Sequence, residues 1–231
     1  MPEPQALHIA IDGPAAGGKT TVARLVAQRL HLLYLDTGAM YRALAYLALR
    51  TQTEADNAEA LRRLCETGRI RVELDGTAPM GFRVFAGETE MNDAMLQSNE
   101  VNAVVSTVAA HAAVRDAMVA AQRAAAARGA VVMAGRDIGT VVLPDAQVKI
   151  FLTASVDARV ARRRAQLASA GIDAGAHRLE DEIVERDRLD RTRATSPLEP
   201  ARDAHLLDSS AMSAEQVADE IVAIVDRTRA A

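Results

Sequence analysis

At 231 residues, with 49% hydrophobic and 25% charged residues, the chain has the composition of a globular protein that buries a substantial core, which excludes disordered and fibrous classes. Its 27 basic and 31 acidic residues leave a formal net charge of -4, so the overall charge draws it neither to nucleic acid nor to an anionic membrane, and an anionic ligand must meet local arginines. The single cysteine, Cys65, cannot close an intramolecular disulfide, Glu3 stands where an export signal carries positive charge, and no long uninterrupted apolar run occurs; a monomeric, cytoplasmic protein without a membrane span is the expectation.

Residues 8–12 form a short, apolar, branched run ended by Gly13 and Pro14, and residues 19–30 carry apolar positions at helical spacing, so the chain opens as strand, loop and helix. A second short strand is predicted at 32–35 and alanine- and leucine-rich helices at 39–50 and 57–66. Across 68–91 the pattern changes to alternation, with Ile70, Val72 and Leu74 interleaved with Arg71, Glu73 and Asp75 before a turn at Gly76 and Pro79, which predicts antiparallel strands inserted into an α/β protein. Helical spacing resumes at 98–127, where the alanine-rich part reads as an ordinary helix, and buried strands follow at 131–134 and 148–152. Arginine-rich helices at 157–168 and 179–193 flank a polar, glycine-containing link, residues 169–177. A last strand at 205–207 precedes a helix at 214–227 with Ser213 as its N-cap. Strands alternating with helices in this way imply a parallel sheet covered on both faces.

Gly13-Pro14-Ala15-Ala16-Gly17-Gly18-Lys19-Thr20 fits G-x-x-x-x-G-K-[ST], between a predicted strand and a predicted helix as that motif requires. Such a loop turns backbone N–H groups toward phosphate oxygens at a helix N-terminus, its lysine reaches the terminal phosphates, and the Thr20 hydroxyl holds Mg²⁺. ATP and Mg²⁺ are therefore the expected cofactors, bound by residues 13–20 with the neighbouring Thr21. The motif alone does not choose the acceptor.

Three further stretches bear on that choice. Asp36 and Thr37, followed by Arg42, come after the second strand, where ligands bind in open α/β sheets, but the first two are equally suited to capping the next helix. Arg136 and Asp137 follow the strand at 131–134, either as binding groups or as a local ion pair. In Glu185-Arg186-Asp187-Arg188-Leu189-Asp190-Arg191-Thr192-Arg193, the residues Arg186, Asp190 and Arg193 share the stripe of Leu179 and Ile183 and point inward, whereas Asp187 with Arg191 fits a solvated face. Acidic residues interleaved through this hairpin oppose a nucleic-acid backbone. The five histidines are scattered without metal-ligand spacing.

On IDGPAAGGKTT at 11–21, YLDTGAMYR at 34–42, AGRDIGTVVLPDA at 134–146, ERDRLDRTR at 185–193 and LLDSS at 206–210, the chain resembles, almost end to end, the bacterial cytidylate kinases, within the nucleoside monophosphate kinase group of P-loop proteins. The resemblance implies a P-loop kinase fold with a five-stranded parallel core formed by 1–67 and 105–231, a short helical lid at about 157–193, and a small inserted acceptor domain at 68–104. It implies transfer from ATP to CMP or dCMP, with another nucleoside monophosphate or small metabolite as the alternative acceptor. By position, Ser106, Arg115 and Asp137 match residues that read cytosine. Arg42, Arg136 and Arg193 match those that hold phosphate, and Asp36, Arg186 and Asp190 those that place the sugar and lid. Lys19, Arg136 and Arg193 are the expected catalytic residues. The family often has Asp where this chain has Ala134, and many members carry a smaller residue at Thr20.

Overall fold

The computed structural model describes residues 6–67, 70–169 and 175–230. The branched run His8–Asp12 is strand β1, and α1 (Lys19–Leu30) follows the glycine-rich loop with the bounds its spacing predicts. Then come β2 (Leu33–Asp36), α2 (Thr37–Arg50) and α3 (Ala58–Glu66), the last capped by the Asn57 side chain on the Ala60 N–H. The alternating segment forms β3 (Ile70–Leu74), β4 (Phe82–Ala86) and β5 (Thr89–Glu90), a three-stranded antiparallel sheet whose inner residues Val72, Phe82, Val84 and Ala86 join the main core. Residues 68 and 69, where the alternating segment begins, lie outside the described residues, as do 170–174 of the link between the arginine-rich helices and the first five residues.

After the short α4 (Asp93–Leu96), the stretch of helical spacing at 98–127 is two helices, α5 (Asn99–Ala110) and α6 (Ala112–Ala126), which meet at 96°. The break has a local cause. His111 is extended, at φ -73° and ψ 124°, and a ring nitrogen lies 2.8 Å from the Ala55 carbonyl oxygen, so the chain is pinned where a continuous helix needs helical dihedrals. Among the described residues no single helix is long and apolar enough to cross a membrane.

Strand β6 (Val131–Gly135), a turn of π-helix at Ile138–Val142, β7 (Val148–Thr153), α7 (Val156–Ser169), α8 (Ala176–Thr192), β8 (His205–Asp208) and α9 (Ala214–Ala230) complete the chain. Ser213 caps α9 as its type predicts, reciprocated by Gln216 on the Ser213 N–H. The five parallel strands run in the order β2-β6-β1-β7-β8. All five residues of β6 are buried although successive side chains point to opposite faces, so helices cover both faces; α1 and α9 pack together, and α2 packs on α5. This layering brings the carboxyl ends of β2, β6 and β1 side by side, ending in Asp36, Gly135 and Asp12.

Candidate active site

The glycine-rich loop leaves β1 through Gly13, whose φ of 150° and close approach to β7 admit only glycine: a Cβ there would stand 2.1 Å from the Leu152 carbonyl oxygen. Lys19 begins α1 and folds back so that its Nζ donates to the Pro14 carbonyl oxygen at 2.6 Å. Burial holds its ammonium well below the usual lysine range, aided by the positive charge of Arg136 and opposed by Asp36, Asp190 and Asp12. That set of charged neighbours joins the loop to all three strand ends.

Asp36 caps α2 as its type predicts, and it also reaches the glycine-rich loop. One carboxylate oxygen caps α2 on the Gly38 N–H at 2.9 Å, and the other accepts from the Thr20 hydroxyl at 2.7 Å. Thr37 is structural, donating to the Ala134 carbonyl oxygen at 3.0 Å. Thr21 is exposed on the first turn of α1. Gly135 lets β6 run close to this corner, since a Cβ on it would meet Thr37 Oγ1 and Ile138 Cδ1, each at 2.6 Å.

Arg136 and Asp137 do not pair with each other; their side chains diverge because they follow the strand consecutively. Arg136 Nε donates to Asp190 Oδ2 at 2.8 Å, and Asp137 Oδ2 accepts from Arg115 Nη2 at 2.5 Å. Arg193 lies between the two pairs, 3.8 Å from Asp137 Oδ1 and 3.8 Å from Asp190 Oδ1, with its Nε donating to the Ser196 carbonyl oxygen. Arg115 is fully buried, 5.3 Å from the Tyr41 ring centre, and its Nε, the Tyr41 hydroxyl and Arg193 Nη2 have no hydrogen-bond partner among the described residues. Burial pushes the Tyr41 phenol up to about 12.

Beside them stands a group of cations short of anions. Arg42 Nη1 donates to the Leu96 carbonyl oxygen at 3.0 Å and to Asn102 Oδ1 at 2.7 Å, neither a carboxylate. Burial, then the nearby Arg186, bring the Arg42 guanidinium down to about 9; burial, then Arg136, bring Arg186 down to about 10, and the Arg186 Nε is unpartnered. Arg193 is lowered too, by burial and then Arg115. Arg136 and Asp190 differ from these, each holding the other charged: burial would raise Asp190, but Arg136, Arg186 and Arg193 hold it below the ordinary carboxylate range, and burial would lower Arg136, but Asp190 holds its guanidinium above the usual range.

The structure thus brings Asp36, Arg42, Arg115, Arg136, Asp137, Arg186, Asp190 and Arg193 to one corner around Lys19 and Thr20. Ser106, half-buried on α5, adds no ion pair or hydrogen bond to that network. One reading is corrected. Asp187 is not on a solvated face with Arg191: it is buried, pairs with Arg159 of α7, and accepts from the Ala15 N–H at 3.1 Å. Its place at i+4 from Ile183 and i+8 from Leu179, both buried, was the signal that it faces inward. Asp12 is a second residue not anticipated, its carboxylate accepting from the Ile138 and Gly139 N–H groups at 2.8 and 2.7 Å.

The cytidylate kinase family model matches residues 9–227. A cytidylate kinase from Pelotomaculum thermopropionicum is 48% identical over 96% of this chain and 97% of its own length. Another from a Geobacillus species is 46% identical over 95% and 96%. A shikimate kinase from Acinetobacter baumannii of solved structure is a distant likeness, with 17% identity, 96% and 94% coverage and a TM-score of 0.47. A family match spanning nearly the whole chain, together with these relatives, establishes that the chain belongs to the cytidylate kinase family.

Proposed function

We propose that the chain transfers the terminal phosphoryl group of ATP to CMP or dCMP, giving ADP and CDP or dCDP. The observation that carries this reading is the cluster of Arg42, Arg186 and Arg193 around Lys19, cations that burial and mutual repulsion leave poorly stabilised until an anion arrives, beside Arg136, which Asp190 already pairs. Arg42 and Arg186 take the acceptor phosphate, and Lys19, Arg136 and Arg193 stabilise the oxygens of the group in transit, the catalytic roles. Residues 13–21 hold the donor triphosphate through backbone N–H groups. Asp190, tied to Arg136, and Asp36 place the sugar and the lid helices. Residues 68–104 serve as the acceptor-side insert, since Leu96 and Asn102 at its edge hold Arg42 in place.

The donor set suits Mg²⁺ brought in by the nucleotide. Among the described residues no group of three or more His, Cys, Asp or Glu side chains forms a dedicated cage, while the Thr20 hydroxyl and the Asp36 carboxylate lie together at the loop's end. Mg²⁺ supplies charge neutralisation on the phosphate oxygens when bound. The acceptor phosphate is already ionised near neutral pH, so no general base is required and catalysis is positioning plus electrostatics.

Cytosine carries an amino donor at N4 beside acceptors at N3 and O2. The Arg115 and Asp137 pair, with Ser106 on the neighbouring helix, offers the matching acceptor and donors. Uracil would set a carbonyl oxygen against Asp137, at a cost of about 1–3 kcal/mol. An ADP-release assay over CMP, dCMP, UMP and AMP tests the reading: turnover with CMP and dCMP is expected, and turnover confined to another acceptor overturns it.

A further inference from the structure

We propose that the buried Arg159 and Asp187 pair is a positioning clamp that fixes the phosphate-binding loop to the helices bearing the acceptor-side cations, so that the donor cradle takes its working shape only when those helices are seated. This rests on the kinase reading above and adds to it a pair of residues outside the expected catalytic and binding set. The two side chains come from different helices, Arg159 from α7 and Asp187 from α8, and both are buried. Together they grip one loop residue from both sides: Asp187 Oδ1 accepts from the Ala15 N–H at 3.1 Å, and Arg159 Nη1 donates to the Ala15 carbonyl oxygen at 3.3 Å while pairing with the other Asp187 oxygen. Arg159 Nε is itself anchored on the Ala154 carbonyl oxygen at 3.2 Å.

What is gripped matters. The next residue, Ala16, has a φ of 54°, left-handed backbone that a residue with a Cβ adopts only where its surroundings impose it. Gripping both polar groups of Ala15 imposes the peptide orientations that enter that turn, and those orientations aim the N–H groups of the loop. A second contact acts in the same sense, since Arg162 of α7 reaches the Gly17 carbonyl oxygen at 3.4 Å and Ser209 at 3.0 Å. On α8 the clamp residue adjoins Arg186 and lies three positions before Asp190, so one helix holds the donor loop with Asp187 and presents Arg186 and Asp190 to the acceptor side. Any displacement of α8 moves both halves of the site together.

The test uses the full chain as wild type, Asp187→Ala, Asp187→Asn and Arg159→Lys. Amide hydrogen exchange across residues 13–20 is followed with and without ATP and Mg²⁺, and kcat and KM for CMP are measured well below each variant's melting temperature. Asp187→Ala is expected to exchange the loop at least about tenfold faster and to lose kcat on the order of 10²-fold, as a displacement near 1 Å costs, with acceptor KM nearly unchanged. Asp187→Asn, which keeps an oxygen for the Ala15 N–H, is expected to fall between wild type and Asp187→Ala. A lower melting temperature with loop exchange and kcat both unchanged would mean a purely structural pair and overturns the clamp. Should Asp187→Ala fail to fold, Asp187→Asn and Arg159→Lys decide by the same two readouts: faster loop exchange and lower kcat support the clamp, and wild-type values for both sink it. If the wild type turns over another acceptor in place of CMP, the cytidylate reading falls while the exchange arm, which needs only ATP and Mg²⁺, still decides the clamp.

Discussion

On the proposed reading, Lys19 and Asp137 are the two side chains whose loss separates chemistry from recognition. Lys19 is buried against its own loop and surrounded by charges from three strand ends, so truncating it removes a cation that no neighbour replaces. Lys19→Ala is expected to lower kcat by on the order of 10³-fold, measured as ADP release at saturating CMP, while the fold survives by circular dichroism. Asp137 is expected to act on selectivity. Asp137→Ala should shrink the ratio of kcat/KM for CMP over UMP by about tenfold or more, the size of one mismatched buried polar contact. The same change strands Arg115, which is 2% exposed, so denaturant unfolding should also report a loss of about 3–5 kcal/mol. Unchanged discrimination in a folded Asp137→Ala protein would remove Asp137 from base reading.

The junction of β1, β6 and the π-helical turn sets where Asp137 points. Asp12, at the end of β1, receives two N–H groups from the turn, and burial raises its carboxyl to about 6 against those hydrogen bonds. The folded state therefore binds a proton more tightly than the unfolded chain, whose Asp titrates near 3.8, and this group's contribution to stability falls as pH rises from about 4 to 6. A shift of about two pKa units corresponds to at most about 3 kcal/mol. Asp12→Asn removes the titration, so the stability of wild type relative to the variant is expected to improve by up to that amount as pH drops from above 6 to below 4. Parallel urea titrations of the two proteins across that range measure it, and a pH-independent difference would remove Asp12 as the source. Gly135 works at the same junction by its lack of a side chain. Gly135→Ala drives a methyl into Thr37 and Ile138, and the shift of β6 needed to relieve it should raise acceptor KM as well as lower stability by about 1–3 kcal/mol, read from kinetics and melting together.

At the scale of the whole molecule, what was legible in the sequence was what short-range pattern encodes. The bounds of β1 and α1, the alternation that became β3 and β4, and the Ser213 cap all follow from neighbours within one or two turns. The site was legible where a side chain sits beside a strand end, as Asp36, Arg136 and Asp137 do, because topology gathers those ends whatever the details of packing. Partner choice was not legible: Arg136 reaches Asp190 and not its neighbour, and Asp187 reaches Ala15 across 172 positions of chain, since these pairings depend on how α7 and α8 fold back on the sheet. The kink at His111 escaped for the same reason, its partner Ala55 being 56 positions away. One consequence of that long-range wiring is measurable without chemistry. On the proposed reading, donor and acceptor nucleotides bind opposite ends of the one charged corner, joined through α8. A ligand at about 100 times its Kd stabilises the folded state by about 2.7 kcal/mol, which for a chain of this length raises Tm by roughly 5–10 °C. A nonhydrolysable ATP analogue with Mg²⁺ and CMP, each at such a concentration measured alone, are therefore expected to raise Tm together by more than the sum of their separate shifts. Each ligand brings anions to cations that the other site also holds and seats the same helix, so the first to bind lowers the cost of ordering for the second. Strictly additive shifts in differential scanning fluorimetry would mean that the two halves of the cleft respond independently, and that α8 carries no coupling between them.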